Sequence, residues 1–201
     1  MENDKPRDVG ILAYGSLIGD PGKELLQAIV ERIRCVTPFP VEFARSSQSR
    51  KGAPTLVPFD NGARVAAEIL VLNISADTAT DRLYRRELHA VGTEKVYRVP
   101  AVTSSNTVTV EKLENFHGVR TVLFTKIGAN IAAPNPGNLA ALAIASAKEL
   151  SDGRDGISYL LAAMAAGIET PLSPKYRDEI LRLTDTEDLP SALKKIHGTK
   201  S

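Results

Sequence analysis

The sequence predicts an α+β fold, with β-strands in the first two thirds of the chain and α-helices in the last third. Runs of β-branched residues separated by Gly, Pro and Asn extend from about Val9 to Ile131. After Pro134 and Pro136 the chain becomes rich in alanine, and its apolar residues recur at helical spacing. Strands followed by helices in this order are typical of α+β proteins, in which helices pack against one side of a sheet or barrel.

The strand-rich part begins with Val9 to Tyr14, a short apolar run that ends at Gly15 and predicts a buried strand. The segment from Lys23 to Arg34 has apolar residues at helical spacing, which predicts a helix. The Asn61-Gly62 pair favours a tight hairpin turn, so we expect the strands on either side of it to pair antiparallel. Further strands are predicted at Val41–Ala44, Thr55–Phe59, Arg64–Ile74, Lys95–Thr103, Thr107–Leu113 and Thr121–Thr125.

The other helices are predicted from apolar spacing and from residues that start or stop a helix. One begins near Ser75, with Ala79 and Leu83 on its apolar face. The later helices run over Asn138–Leu150, over Ile157–Met164 with Gly167 as the stop, and from Ser173 to Leu183, followed by a weakly helical tail. We expect one domain over residues 1–201, with the strand-rich core at 9–131 and a helical extension packed on it at 138–183.

The composition excludes several classes of function. The 201 residues carry 25 Lys and Arg against 24 Asp and Glu, so the net charge of +1 gives no reason to expect nucleic acid or an anionic membrane as a partner. One cysteine, Cys35, cannot form an internal disulfide, and three histidines leave little material for a metal site. No apolar run reaches the ~18 residues that span a bilayer, and residues 1–8 lack the apolar stretch of a signal peptide. We therefore expect a cytoplasmic protein.

A glycine turn at the end of the first strand is one candidate for a binding site. Its sequence is Tyr14-Gly15-Ser16-Leu17. Glycine lets the backbone turn sharply and approach a ligand closely, and the amides that follow it could bind a carboxylate or an oxyanion. The local sequence fits an ordinary turn after a strand equally well.

Glu87 is the candidate for a catalytic group. It continues the four-residue step of Ala79 and Leu83, which directs a carboxylate toward the buried side of a helix. Burial disfavours the charged form of a carboxyl group, and this suits a general acid or base that works near neutral pH. The alternative is a structural ion pair between Glu87 and Arg85, Arg86 or another basic residue.

These segments together resemble the γ-glutamylcyclotransferase superfamily, and in particular its glutathione-directed, ChaC-like branch. The resemblance covers about Val9 to Thr125, and its residues are Tyr14-Gly15-Ser16-Leu17, Gly52 to Pro58, Val65 to Leu72 and Arg85-Arg86-Glu87. It implies a small mixed β-barrel surrounded by helices, with the active site at the mouth of the barrel. It also implies an enzyme that releases 5-oxoproline from γ-glutamyl compounds without a metal or an organic cofactor. Glu87 then takes the position of the catalytic glutamate, and Tyr14, Gly15, Ser16 and Leu17 that of the substrate-binding loop.

The chain departs from the glutathione-directed branch in two places. The stretch after Glu87 runs Leu88-His89-Ala90-Val91-Gly92 instead of toward a Gly-Tyr pair, and the chain has no tryptophan near the first loop. The substrate therefore remains open between glutathione, another γ-glutamyl peptide and a γ-glutamylamine. Two other functions on the same fold are also open, namely a non-catalytic module that binds a small ligand and a γ-glutamyl acyltransferase.

Overall fold

The computed structural model describes residues 7–198, which form an α+β fold of one five-stranded sheet, one two-stranded sheet and helices. The strands are β1 (Val9–Ala13), β2 (Ile29–Val36), β3 (Val41–Ser47), β4 (Ala53–Pro58), β5 (Ala66–Leu72), β6 (Thr109–Phe116) and β7 (Val119–Lys126). The helices are α1 (Ser16–Gly19), α2 (Lys23–Leu26), α3 (Ala76–Glu87), α4 (Pro136–Glu149), α5 (Gly156–Ala165), α6 (Ser173–Thr184) and α7 (Leu189–Gly198). The prediction of an α+β fold is confirmed.

The described residues divide into two compact units, and each unit is made of two stretches of chain. The first contains residues 7–37 and 66–128, and the second contains residues 38–65 and 129–198. The predicted organisation as a single domain, with a core and a helical extension, stays a prediction.

The first unit contains the five-stranded mixed sheet, with the strand order β2-β5-β1-β7-β6. The central strand β1 runs antiparallel to β5 and parallel to β7. All five of its residues are buried, which explains why its sequence is uniformly apolar. Within the described residues β2 pairs only with β5, and β6 pairs only with β7. These pairings do not close the sheet, so the barrel that the resemblance implies is unconfirmed.

One face of this sheet packs against α2 and α3. Ser75 caps the N-terminus of α3, because its side chain accepts a hydrogen bond from the amide of Thr78. Ala79 and Leu83 are fully buried, as their spacing predicts. The cluster that they join contains Val9, Ile11, Ala13, Leu17, Leu25, Ala28, Leu70, Leu72 and Leu123. This packing fixes the last turn of α3, where Glu87 lies.

The second unit combines the antiparallel pair β3 and β4 with helices α4 to α7. The ring of Phe43 on β3 is fully buried and makes edge-to-face contacts with Tyr159 of α5 and Tyr176 of α6. The three later helices predicted from the sequence are present, and Gly167, at a φ of 72°, follows the end of α5. No helix in residues 7–198 combines the length and the hydropathy needed to cross a bilayer.

The prediction from the Asn61-Gly62 pair is wrong. The strands on either side of it, β4 and β5, belong to different sheets. The amide of Gly62 closes a turn with the carbonyl of Phe59, but Ala63 then bonds to Val41 of β3 instead of continuing along β4. A Cβ at position 62 would collide with the carbonyl of Val41, so the close backbone approach requires glycine there, although Gly62 is not among the residues with positive φ.

The helix predicted over residues 23–34 is also wrong beyond its first turn. Helix α2 ends at Leu26, and Ile29 to Val36 form the edge strand β2, in which half-buried and exposed residues alternate. The apolar residues up to Ile33 recur at helical spacing, and this misled the prediction. From Arg32 to Cys35 polar and apolar residues alternate as in a strand, and the pairing of β2 with β5 shifts register between Ile29 and Glu31.

The strand predicted over Lys95–Thr103 is absent, since these residues have no strand pairing. Side chains form the hydrogen bonds of this segment instead. The amide of Tyr97 donates to Asp81 Oδ1 at 2.7 Å, and the Tyr97 hydroxyl accepts from the amide of Val110 at 3.1 Å. β propensity alone does not form a strand when no neighbouring strand is in register to pair with it.

Candidate active site

The candidate binding loop lies directly after the central strand of the first unit. Gly15 has a φ of 60° and a ψ of −135°, a conformation that glycine adopts readily and other residues do not. The single-turn helix α1 starts at Ser16, and the amide of Asp20 donates to the Ser16 carbonyl at 2.9 Å. No side chain caps this turn. The first amides of a helical turn have no acceptor within the helix, so those of Ser16 and Leu17 can donate to a ligand.

The four residues of the loop have different roles. The side chain of Leu17 is 5% exposed and belongs to the core cluster between the sheet and α3, so it anchors the loop and only its backbone can contact a ligand. Tyr14, Gly15 and Ser16 are half-buried. The resemblance implies that all four bind substrate, and the geometry separates one anchor from three half-buried residues.

Arg86 connects Glu87 to this loop. Its Nη1 donates to Glu87 Oε1 at 2.7 Å, and its Nη2 donates to Ser16 Oγ at 3.3 Å. Nε and Nη2 also donate to the carbonyl of Asp20, at 3.1 and 2.7 Å. The side chains of Arg86 and Glu87 are 14% and 21% exposed, so the guanidinium is held between α3 and the loop in a largely water-excluded position. The ion pair that the sequence offers as an alternative to catalysis is present, and it lies beside the candidate loop.

The pairing leaves one carboxylate oxygen of Glu87 available. Oε1 accepts from Arg86, whereas Oε2 accepts no hydrogen bond from any residue in 7–198. Arg86 fixes the orientation of the carboxylate through Oε1, so Oε2 is the atom that can exchange a proton with a ligand.

A second arginine reaches the same loop, and sequence reasoning missed it. Arg32 Nη1 donates to the carbonyl of Ile18 at 3.1 Å and to Glu68 Oε2 at 2.7 Å. Glu68 lies 50 residues beyond Ile18 in the chain, so no local pattern relates them. The available signal was a single charged residue inside the otherwise apolar run from Val65 to Leu72.

Cys35, on β2 near this site, is not suited to be a nucleophile. Burial, together with the smaller effect of the negative charge of Glu68, raises the pKa of the Cys35 thiol to about 11. The reactive form of a cysteine is the thiolate, which is scarce near neutral pH at such a pKa. Among residues 7–198, no group of three or more His, Cys, Asp and Glu side chains is arranged to hold a metal ion.

A buried carboxyl group in the second unit was also missed. Glu42 is 1% exposed and accepts hydrogen bonds from Thr170 Oγ1 at 2.6 Å and from the amides of Phe43 and Leu172 at 2.8 and 3.3 Å. Burial raises the pKa of Glu42, and these hydrogen bonds partly oppose the rise. Leu172 immediately precedes α6, so Glu42 satisfies one backbone donor at the start of that helix and has a structural role.

Comparison with known proteins does not assign the chain to a family, since no family model and no curated protein matches it. The site itself brings together a hydroxyl, a guanidinium and a carboxylate, contributed by Ser16, Arg86 and Glu87, beside a glycine turn. Such a set can bind a ligand that carries both charges and can move a proton at a carboxylate oxygen.

Proposed function

We propose that the chain is a cytoplasmic γ-glutamylcyclotransferase-like enzyme that releases 5-oxoproline from a γ-glutamyl peptide or amine. In this proposal Glu87 is the general acid and base, Tyr14 to Leu17 form the substrate-binding loop, and the surrounding fold is the small mixed barrel of that superfamily. The observation that supports it best is the shared guanidinium of Arg86, which binds both Ser16 Oγ and Glu87 Oε1. The catalytic and binding residues implied by the resemblance are therefore neighbours in space, although 70 residues separate them in the chain.

The reaction needs no nucleophile from the protein. The α-amine and the γ-carbonyl belong to one γ-glutamyl group, so holding that group in a folded conformation supplies most of the entropic advantage. The α-ammonium, whose ordinary pKa is roughly 8, first gives a proton to Glu87 Oε2. The free amine then attacks the γ-carbonyl carbon and forms the ring C–N bond.

The second half of the reaction returns the proton. The oxyanion that develops on the γ-carbonyl oxygen accepts hydrogen bonds from the amides that follow Gly15. Collapse of this intermediate breaks the bond to the leaving amine, which takes the proton from Glu87. The ring nitrogen, which carries a second proton after the attack, gives that proton to the carboxylate of Glu87, and the released amine takes it up and leaves as an ammonium. The products are 5-oxoproline and this ammonium, with no water, metal or oxidant consumed.

Glu87→Gln tests the mechanism, since the amide keeps the shape of the side chain but cannot accept the proton. Purified protein is incubated with glutathione, other γ-glutamyl peptides and γ-glutamylamines, and 5-oxoproline is measured by chromatography. We expect the wild type to convert at least one compound and Glu87→Gln to lower kcat by about 100-fold or more, the usual contribution of a general base. Unchanged release by Glu87→Gln would show that the assigned base is wrong.

Glu24→Gln is a matched control. The Glu24 side chain is 23% exposed, against 21% for Glu87, and it pairs with Arg85, the neighbour of Arg86, at 3.0 Å. Among residues 7–198, no hydrogen bond or ion pair links its side chain to the candidate loop, so its variant should keep near wild-type turnover. Equal losses in both variants would indicate damage to α3 and not removal of a base.

The Arg86–Glu87 ion pair also favours a second candidate function, a non-catalytic module that binds a small ligand. A fixed cation and anion side by side can anchor an amino acid without any chemistry. This function is supported if the wild type binds a γ-glutamyl compound in calorimetry but releases no 5-oxoproline from the whole panel.

A further inference from the structure

We infer that Arg32 is a positioning residue of the candidate active site, and that it acts with Glu68 as a second anchor of the substrate-binding loop. The inference rests on the proposed function for its catalytic consequence. Its structural part concerns residues 15–20 and can be tested without turnover.

Two arginines from different elements bind the single turn that contains the loop. Arg86 of α3 donates to Ser16 Oγ and to the carbonyl of Asp20. Arg32 of β2 donates to the carbonyl of Ile18 at 3.1 Å. The two contacts to Asp20 and Ile18 satisfy carbonyls at the end of a helical turn, which otherwise lack donors. Each arginine is in turn paired with a glutamate at 2.7 Å, Arg86 with Glu87 and Arg32 with Glu68.

The sheet register sets the position of the Arg32–Glu68 pair. Glu68 on β5 lies opposite Ala13 of β1, the last strand residue before Tyr14, and opposite Arg34 of β2 on its other side. Arg32 lies opposite Leu70, one step along the same face of the sheet. A shift in this register would turn the buried residues of β5 out of the core, so the pair has a fixed location beside the start of the loop.

The turn needs such anchors because it cannot hold its own shape. A helical turn of four residues is far below the length at which a helix is stable alone. The side chain of Leu17 fixes one side of the turn in the core. The amides proposed to bind substrate are those of Ser16 and of Leu17 itself, and this one side chain does not fix the orientation of both. Releasing the Ile18 carbonyl leaves Arg86 as the remaining charged anchor and lets these amides reorient. A displacement of about 1 Å in a reacting geometry can lower a rate about 100-fold.

The alternative is that the Arg32–Glu68 ion pair affects neither the loop nor turnover. The Arg32 side chain is 37% exposed, and ion pairs at such positions often contribute little to stability. Loss of this ion pair can leave the free energy of unfolding almost unchanged and still disorder the loop. The test therefore measures loop exchange and turnover separately from the stability of the whole protein.

The experiment compares Arg32→Met and Arg32→Lys with the control Arg34→Met. Arg34 lies two residues along the same strand and is also exposed, and its side chain makes no hydrogen bond or ion pair with the residues in 7–198. Hydrogen exchange of residues 15–20 is measured by mass spectrometry, together with kcat and KM for 5-oxoproline release and the urea midpoint. Arg32→Lys should keep loop exchange and turnover close to those of the wild type. In the wild type a single nitrogen of Arg32 bonds to both the Ile18 carbonyl and Glu68, and the ammonium of a lysine can make the same two bonds.

We expect Arg32→Met to speed exchange in residues 15–20 but not in β1 or β5, and to lower kcat by about 10- to 100-fold with a smaller change in KM. The urea midpoint should match that of Arg34→Met. Unchanged loop exchange in Arg32→Met, or turnover equal to that of Arg34→Met, would overturn the inference. If the wild type releases no 5-oxoproline, the proposed function fails, and the exchange data still decide whether Arg32 anchors the loop.

Discussion

Gly15→Ala tests whether the backbone of the candidate loop depends on glycine. At a φ of 60° and a ψ of −135°, an added Cβ strains the backbone, at a cost of about 1–3 kcal/mol. Alanine also restricts the unfolded chain, which offsets about 0.4–1 kcal/mol of that cost. We therefore expect the free energy of unfolding to fall by about 1–2 kcal/mol. The strain can also be relieved by rotation of the turn, which would move the amides of Ser16 and Leu17 and lower 5-oxoproline release.

Urea denaturation followed by circular dichroism measures the change, and Gly19→Ala is the control within the same turn. A Cβ at position 19 meets no atom within 4 Å, and Gly19 is not among the residues with positive φ. Alanine there should stabilise the protein by up to about 1 kcal/mol, since glycine is a poor helix former. The two substitutions thus have opposite expected signs. The reasoning is refuted if Gly15→Ala is as stable as the wild type.

Two further predictions concern titration. Burial raises the pKa of Glu42 above its ordinary 4.5, so the folded state holds this proton more tightly than the unfolded chain does. The stability that protonation of Glu42 contributes is therefore fully present below pH 4.5 and is lost as the pH rises through the folded-state pKa. Over this range the unfolding free energy of the wild type should fall relative to that of Glu42→Gln, which does not titrate. Parallel curves in urea titrations from pH 4 to about 8 would contradict this. The Cys35 thiol, with its pKa raised from 9.0 to about 11, should react with a chromogenic disulfide reagent about 10-fold more slowly in the folded protein than in urea at pH 8, because the smaller thiolate fraction outweighs the greater nucleophilicity of a more basic thiolate. Glu68→Gln should speed the reaction modestly, and equal folded and unfolded rates would show that the thiol is not shielded.

The apolar patterns of the sequence predicted the elements that are buried in one regular way, either on all sides or along one face. β1 is buried on every residue and reads as a continuous apolar run. α3 carries its own start signal, Ser75, and its own apolar face, so its existence and the placement of Glu87 on its last turn followed from local residues alone. Such elements are predictable because the determining contacts leave a period in the sequence.

Pairing between strands was not predictable in the same way. Asn61-Gly62 favours a turn, and a turn is present, but the chain after it pairs with Val41 of β3. The spacing of the apolar residues from Ile29 to Val36 is compatible with a helix and with a strand. Pairing with the neighbouring strand β5 determines that they form a strand. Turn chemistry and spacing act over a few residues, whereas strand pairing depends on partners up to tens of residues away.

The sequence by itself determined the α+β class, the glycine turn after β1 and the candidate role of Glu87, because each depends on residues that are close together in the chain. Only the tertiary structure decided that Arg86 joins Glu87 to Ser16, and that Arg32, paired with Glu68, donates to the carbonyl of Ile18 in the same turn. Hydrogen bonds between side chains from separate elements leave no periodic trace, since they depend on the register of the sheet and on the packing of α3. For this reason the sequence could name the candidate base and Arg86 among its possible partners, while the contact of Arg86 with Ser16 and the contact of Arg32 with the loop could not be predicted.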